Sequence, residues 1–547
     1  MEKRWLPLYG NNLEAHSTIE NRSLTDLLND TTAKYSDNTA ITFYGKTWTY
    51  KELQKFSEAL AASLNGDQFK KGDRLAIMLP NCPHYLFSLF GTFRAGGVVV
   101  QVNPMYVARE LEYILNDSEA THIVILSDLY PLFKSVRDKV PTKKAIVVAL
   151  KPGAEIELEA NDCLFESYLK QATAPAPAIT IEAENDLAVL QYTGGTTGVS
   201  KGVMLTHLNL VSNTEQTYDF MFSGEVSPPP NARIVNVLPL FHIFSLTCCN
   251  FVTIRHGGNQ ILIPRFDMPE VLETIKKEKP FQLGGVPTMY VGFNQVGKYK
   301  EFGLDLVESY VSGGSSLPVE ALEAFERGTD RKLCEGYGLS EAAPVTHFNP
   351  SFQERKAGSV GIPLPNTDAK VVVETDAGWE EVAVGEVGEM IIKGPQVMKG
   401  YWRKPEETER TLRDGWLFTG DLAKMDEQGY FYIVDRKKDM ILASGYNVYP
   451  REIEEVLYQH EGVQEVIVLG IPDPYRGETV KAYITPKPNS TLTSQEIIEF
   501  SRKQLAAYKV PKAIEFREEL PKSAVGKLLK RKLRDEELAK VEAEQSS

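Results

Sequence analysis

Residues 192–202 read YTGGTTGVSKG, and no other stretch of the chain crowds so many anion-binding groups into so few positions. Three glycines, Gly194, Gly195 and Gly198, let the backbone pass close to a ligand with its N–H groups turned inward. Thr193, Thr196, Thr197 and Ser200 add hydroxyl donors, and Lys201 adds a full positive charge. The register is not that of the common P-loop, G-x-x-x-x-G-K-[ST], because Val199 and Ser200 separate Gly198 from Lys201. A phosphate loop of another kind is expected, the plain alternative being a polar surface turn.

Upstream of this loop, β-branched runs recur as RLAIMLP from Arg74, VVVQV from Val98, HIVIL from His122 and AIVVAL from Ala145, with a helix-like stretch at 109–116 between two of them. Strands alternating with helices at this spacing mean crossover units and a largely parallel sheet. An Ala- and Pro-rich connector at 172–181 leads into the loop. Downstream the alternation resumes, with strands expected at 234–238, 260–263, 281–284 and 310–311. Their following loops carry PLFH at 239–242, GGVP at 284–287, SGGSSLP at 312–318 and GYGLSE at 336–341. In open α/β sheets ligands gather beyond the carboxyl ends of strands, so these motifs are expected to line one cleft.

Between 369 and 434 the period shortens to alternating strands (AKVVVE, GEMIIKG, GYFYIVD), interrupted by the turn-rich DGWLFTGD at 414–421. A domain boundary is expected at the charged cluster DRKKD beginning at Asp435. The predicted fold is α/β: an N-terminal domain, 1–434, of two parallel-sheet units plus a β-rich subdomain, and a small α+β domain, 435–547. A basic tail, KSAVGKLLKRKLR at 522–534, reads by itself as a solvated terminus.

At 547 residues the chain is long enough for two or more domains. Its net charge of −14 argues against a general nucleic-acid binder, which needs clustered positive charge. Five cysteines without a C-x-x-C pair give neither a disulfide framework nor a zinc site. The N-terminus lacks an apolar run of signal-peptide length. The apolar run 238–254 contains His242 and Asn250 and does not read as a membrane span. A soluble cytoplasmic protein is expected.

With YTGGTTGVSKG, GYGLSE, GWLFTGD, VDRKKD and PKSAVGK in this order over nearly its whole length, the chain resembles the adenylate-forming superfamily of acyl-CoA synthetases, luciferases and peptide-synthetase adenylation domains. VDRKKDMILASGYNVYPREIE and KGPQVMKGYW look most like bacterial long-chain fatty acyl-CoA ligases. The resemblance implies fatty acid, ATP and CoA as substrates, Mg²⁺ held by Glu341, and a C-terminal domain that rotates about a hinge at Lys438. It implies phosphate contacts from Thr193, Gly194, Gly195, Thr196, Thr197, Gly198 and Lys201. Gly313, Gly314, Ser315, Gly336, Tyr337, Gly338 and Ser340 would surround the base, Asp421 and Arg436 would hold the ribose, and Lys527 would bridge substrate carboxylate and α-phosphate. Ser444, Gly445 and Tyr446 would form the pantetheine channel, and apolar residues of 241–251 and 284–290 the acyl tunnel.

His242 stands where the family places an aromatic residue or histidine near the substrate carboxylate; a core histidine is the alternative. Cys248 and Cys249 read as small buried residues, since no base partners them. Leu442 and Ala443 replace a lysine that some aryl-CoA ligases and luciferases carry, which favours fatty over aromatic acids. Three readings stay open in the sequence: a long-chain ligase, the same chemistry on medium-chain or aromatic acids, and a non-catalytic binder of lipid or acyl-adenylate. Homodimerisation, and docking on the inner face of a membrane, are equally open.

Overall fold

The structure, a computed structural model, describes residues 3–545 apart from 11–12, 152, 154–155, 173, 194–199, 224–226, 352–353, 377, 444–445, 474–476, 489 and 524–525. Among the described residues the strands form four sheets. Arg74–Met78, Val98–Gln101, His122–Leu126 and Lys144–Val148 pair in parallel, as their β-branched runs predicted. Leu187–Thr193 extends this sheet in parallel beside Val98–Gln101. The next strand, Lys201–Thr206, returns antiparallel, because its connection is too short for a parallel crossover, which takes about a dozen residues or more. The two strands flanking the glycine- and threonine-rich segment therefore pair with each other as a β-hairpin.

Thr206 ends the hairpin and caps the buried helix His207–Met221: its Oγ accepts the N–H of Asn209 at 3.1 Å, and Asn209 Oδ1 accepts the N–H of Thr206 at 3.0 Å. Such a cap contributes about 1 kcal/mol. Asn209 also donates to the carbonyls of Pro395 and Val397 at 2.8 and 2.9 Å, which anchors the segment leading to Tyr401 beneath the hairpin.

The second large sheet is parallel through Asn259–Leu262, Arg233–Asn236, Gln282–Gly285, Ser309–Ser312 and Leu333–Gly338. One expectation is corrected at its edge. The GYG of GYGLSE is not a loop but the end of the strand Leu333–Gly338, held by antiparallel pairing of Tyr337 with His347. Gly338 makes the pairing feasible, since a Cβ there would sit 2.2 Å from the Pro344 carbonyl oxygen. The apolar run after His242 forms the buried π-helical segment Ser245–Phe251, continued by Val252–Arg255. Among the described residues no helix is long and apolar enough to cross a membrane.

Asp368–Thr375, Gly388–Lys393, Trp416–Met425 and Phe431–Arg436 form the expected antiparallel layer. Its last strand runs through Arg436, and a separate sheet opens at Ile441. That sheet contains Val463–Asp473, Gly477–Pro486 and Ala513–Phe516, and the helix Pro450–Tyr458 packs on it over a core including Ile453, Val466, Val468 and Ile484.

Candidate active site

Three strands from two sheets converge on one corner. Trp416–Met425 and Phe431–Arg436 run antiparallel with Asp421 directly opposite Arg436, and Arg436 Nε lies 3.5 Å from Asp421 Oδ1. Tyr337, at the end of its strand, donates its hydroxyl to Asp421 Oδ2 at 2.6 Å. The carboxylate is nearly enclosed, with 13% of its side chain exposed, yet an acceptor-only group with four lone-pair sites retains capacity for further donors. Burial works against the charge of Arg436, but Asp421, Asp439 and Glu341 outweigh it and hold its pKa above the ordinary value. Gly313 packs near the Phe244 ring, while Gly314 and Ser315 are open to solvent at the end of Ser309–Ser312.

A second corner holds the acid and the base expected on the phosphates. Glu341, in the short turn Ser340–Ala342, accepts the Tyr401 hydroxyl at Oε1 at 2.7 Å. Lys201 begins the second strand of the hairpin and places its ammonium 5.1 Å from the centre of the Tyr401 ring. The two meet because Gly400–Tyr401 pairs antiparallel with Lys201–Thr206, Tyr401 opposite Val203. Beside Glu341 lies a cavity of about 260 Å³ bounded by Tyr401, Thr419, Gly420, Arg410 and Lys437. Among the described residues no three acidic, His or Cys side chains gather to hold a metal. This donor set fits Mg²⁺ rather than a caged metal, because Mg²⁺ commonly binds through one or two carboxylates and keeps its other positions for substrate phosphates and water.

The third component arrives from the small C-terminal unit. Ser523 and Lys527 bond to each other: Ser523 N–H donates to Lys527 O at 2.8 Å and Lys527 N–H to Ser523 Oγ at 3.1 Å. Gly526, at φ 76°, presents its carbonyl to Thr288 Oγ1 at 3.2 Å, so it docks on the G-G-V-P-T segment of the large domain. A side chain at Gly526 is excluded twice: the backbone is left-handed, and a Cβ would meet Thr288 Oγ1 at 3.0 Å. Lys527 thereby enters the cleft, where burial and the charge of Arg436 push its pKa down to about 8 while Asp421 opposes the shift. Lys438 is pushed down to about 8 as well, by burial and then by Arg436. His242 is lowered to about 4, by burial and then by the charge of Lys527. Its Nδ1 accepts the Phe244 N–H at 3.3 Å, so the neutral ring carries its proton on Nε2.

The small unit also contacts the large one through Glu455. Glu455 accepts from the backbone of Val319, at the start of the helix Val319–Thr329, whose Pro318 gives no side-chain cap. Next to it Glu335 is buried, with Oε2 lacking a hydrogen-bond partner; burial raises its carboxyl to about 7, opposed by Arg451 and Arg355 and reinforced by Glu455.

Tyr337, Asp421, Arg436, Lys527 and His242 are brought together, and Glu341 and Lys201 meet at Tyr401. Thr193 ends its strand and receives the Ser200 hydroxyl on its carbonyl. Gly194, Gly195, Thr196, Thr197, Gly198, Ser444 and Gly445 lie outside the described residues. Tyr446 is exposed and stacks on Tyr508 of its own unit, centroids 4.5 Å apart. The sequence reading missed Tyr401, Thr288, Glu335 and Glu455. Tyr401 lies within the quoted KGYW, but nothing in that string indicates that its hydroxyl reaches Glu341.

Residues 28–402 match the family of AMP-binding enzymes, and residues 452–527 match the AMP-binding enzyme C-terminal domain. The chain is 46% identical to a long-chain-fatty-acid–CoA ligase of Bacillus subtilis (strain 168), over 98% of each chain. Among solved structures it is similar to ATP-bound MatB from Rhodopseudomonas palustris, with TM-score 0.84, 30% identity and coverage of 94% of this chain and 98% of that one. It is also similar to the anthranilate CoA ligase AuaEII in complex with anthranoyl-AMP, with TM-score 0.87, 26% identity and coverage of 95% and 98%. The chain therefore belongs to the family of AMP-binding enzymes, with its C-terminal domain.

Proposed function

We propose that the protein is an AMP-forming long-chain fatty acid–CoA ligase. The observation that carries the chemistry is Lys527, delivered by a separate unit into a cleft that already holds Asp421, Arg436 and His242. The near-full-length relative carries the substrate class. We place the division between the two domains at 435, with the hinge at Lys438.

In the first step a carboxylate oxygen of the acid forms a bond to the α-phosphorus of ATP as the bond to pyrophosphate breaks, giving the acyl-adenylate. Charge gathers on the transferring group, and the protein acts mainly by positioning and electrostatic stabilisation. Lys527 offsets that charge between the carboxylate and the α-phosphate. His242, neutral and protonated on Nε2, donates to the acid without contributing a charge. Asp421 accepts the ribose hydroxyls with its free lone pairs, Arg436 keeps it aimed, and the ring of Tyr337 lies under the base. Lys201 takes the β- and γ-phosphates. Mg²⁺ at Glu341 would neutralise phosphate oxygens, and Tyr401 orients that carboxylate for it.

In the second step the CoA sulfur attacks the acyl carbon, the bond to AMP breaks and the thiol proton leaves to solvent. Lys527 has no role there, and Gly526 must leave Thr288 to admit the thiol. Rotation at Lys438 moves it away and brings the segment around Tyr446 to the cleft.

Acyl-CoA formation and pyrophosphate release across acetate, octanoate, palmitate, oleate and coumarate test the assignment. Each buried methylene contributes about 0.8 kcal/mol, so palmitate and oleate should exceed octanoate by orders of magnitude in affinity. Faster CoA-dependent turnover with coumarate or acetate overturns the long-chain reading, and adenylate binding without turnover on any acid would favour a non-catalytic binder.

A further inference from the structure

Lys201 is not waiting unpaired for a phosphate. Its ammonium lies 2.5 Å from Glu407 Oε2, a carboxylate on the short helix Pro405–Thr411 more than two hundred positions away in the chain. The hydrogen bond from Lys201 holds the Glu407 carboxyl below the usual carboxylate range. The helix is pinned where it is: Thr408 Oγ1 accepts the Tyr401 N–H at 2.9 Å and donates to the Lys404 carbonyl at 2.9 Å, while the Tyr401 hydroxyl holds Glu341. Glu407 also has a second cation to turn to, since Arg410 Nη1 lies 3.4 Å from its Oε1 on the same helix. Lys404 adds to the positive field around it. Arg410 in turn borders the cavity beside Glu341.

We propose that Glu407 is an internal competitor for the triphosphate: its carboxylate occupies Lys201 in the empty enzyme, yields it to the β- and γ-phosphates of ATP, and retakes it as pyrophosphate departs. This rests on the reading of Lys201 as a phosphate ligand. A lysine ammonium is a compact point charge, and a carboxylate and a phosphate oxygen compete for the same donors. Part of the binding energy of the β- and γ-phosphates is then used to displace Glu407, which weakens ATP and pyrophosphate alike. Recapture of Lys201 favours release of the leaving group and opposes the back reaction. When displaced, Glu407 pairs with Arg410, so no charge is stranded. AMP lacks the β- and γ-phosphates and is indifferent to the exchange.

The test is Glu407→Gln, which keeps size and removes the charge. For a pair as exposed as this one the expected change is a fall of about three- to fivefold in KM for ATP and in the inhibition constant of pyrophosphate, with AMP affinity held. Glu407→Asp, which retains the carboxylate, should stay near the parent. Lys201→Met separates the two claims. If it leaves KM for ATP unaltered, the phosphate-ligand reading falls. If it raises KM for ATP while Glu407→Gln leaves or raises both constants, the competitor role alone is overturned. In the Lys201→Met background Glu407→Gln should have no further effect. An equal gain there, or an equal shift in AMP affinity, would make Glu407 a general field effect and also defeat the proposal.

Discussion

Lys527 lies close enough to His242 for its charge to help hold the imidazole neutral, although the two belong to different structural units and stand nearly three hundred positions apart in sequence. Gly526, next to Lys527, is docked on Thr288 in the same structure. Under the proposed function, this is the arrangement expected for adenylation.

The two half-reactions should separate by mutation. Lys527→Ala is expected to slow adenylation by about a hundredfold or more, the scale of losing one electrostatic stabiliser, and to leave thioester formation from supplied acyl-adenylate near normal. Lys438→Pro should do the reverse, because fixing φ obstructs the hinge while the docked pose persists. Single-turnover assays of each step check this, and equal slowing of both steps by Lys527→Ala would refute alternation.

Adenylation should carry an alkaline limb set by Lys527. A lysine lowered to about 8 is charged below that pH and neutral above it, so kcat/KM should fall as pH rises through about 8. Two bound anions favour the charged form, so the limb in kcat should lie higher. Lys527→Arg stays charged and should lose the limb, whereas Lys438→Arg, which removes the other group near 8, should retain it.

Domain docking should weaken between mildly acidic and neutral pH. The Glu335 carboxyl is raised to about 7 where Arg451 and Glu455 cover it, and undocking returns it toward the ordinary carboxylate value. A raised pKa in the docked pose means its contribution to docking is complete below the ordinary value and is lost as pH rises through about 7. Energy transfer between fluorophores on the two units should report this, and Glu335→Gln should flatten the profile. A parent and variant with the same pH response would exclude Glu335 as its source.

Mg²⁺ dependence should run through Glu341 and, more weakly, through Tyr401. Glu341→Gln removes the charge a hard cation prefers and should raise the Mg²⁺ concentration for half-maximal rate at least tenfold, as about 1.4 kcal/mol or more. Tyr401→Phe deletes only the hydroxyl that aims the carboxylate, and about three- to tenfold is expected for a hydrogen bond to a charged group that is partly solvated. Titration of the initial rate with Mg²⁺ at fixed ATP distinguishes the two, and no change in Glu341→Gln would remove Glu341 from the metal site.

The sequence by itself determined the local elements, because local physics makes them. β-branched runs at Val98 and His122 form buried parallel strands, and the alternation after Ala369 forms an antiparallel layer. It also picked out the polar motifs, since glycine, threonine and carboxylate in such density serve chemistry better than packing. Tertiary structure alone decided which motifs touch. Asp421 meets Arg436 because a strand register puts them opposite each other, and a register shifted by one residue would turn each to the other face. Lys201 meets Glu407 because one short strand pair brings a distant helix over the hairpin. The charge of Lys527 on His242, and those of Arg451 and Glu455 on Glu335, depend on the two units meeting. A property of that interface has no signature in the order of residues on either side of it.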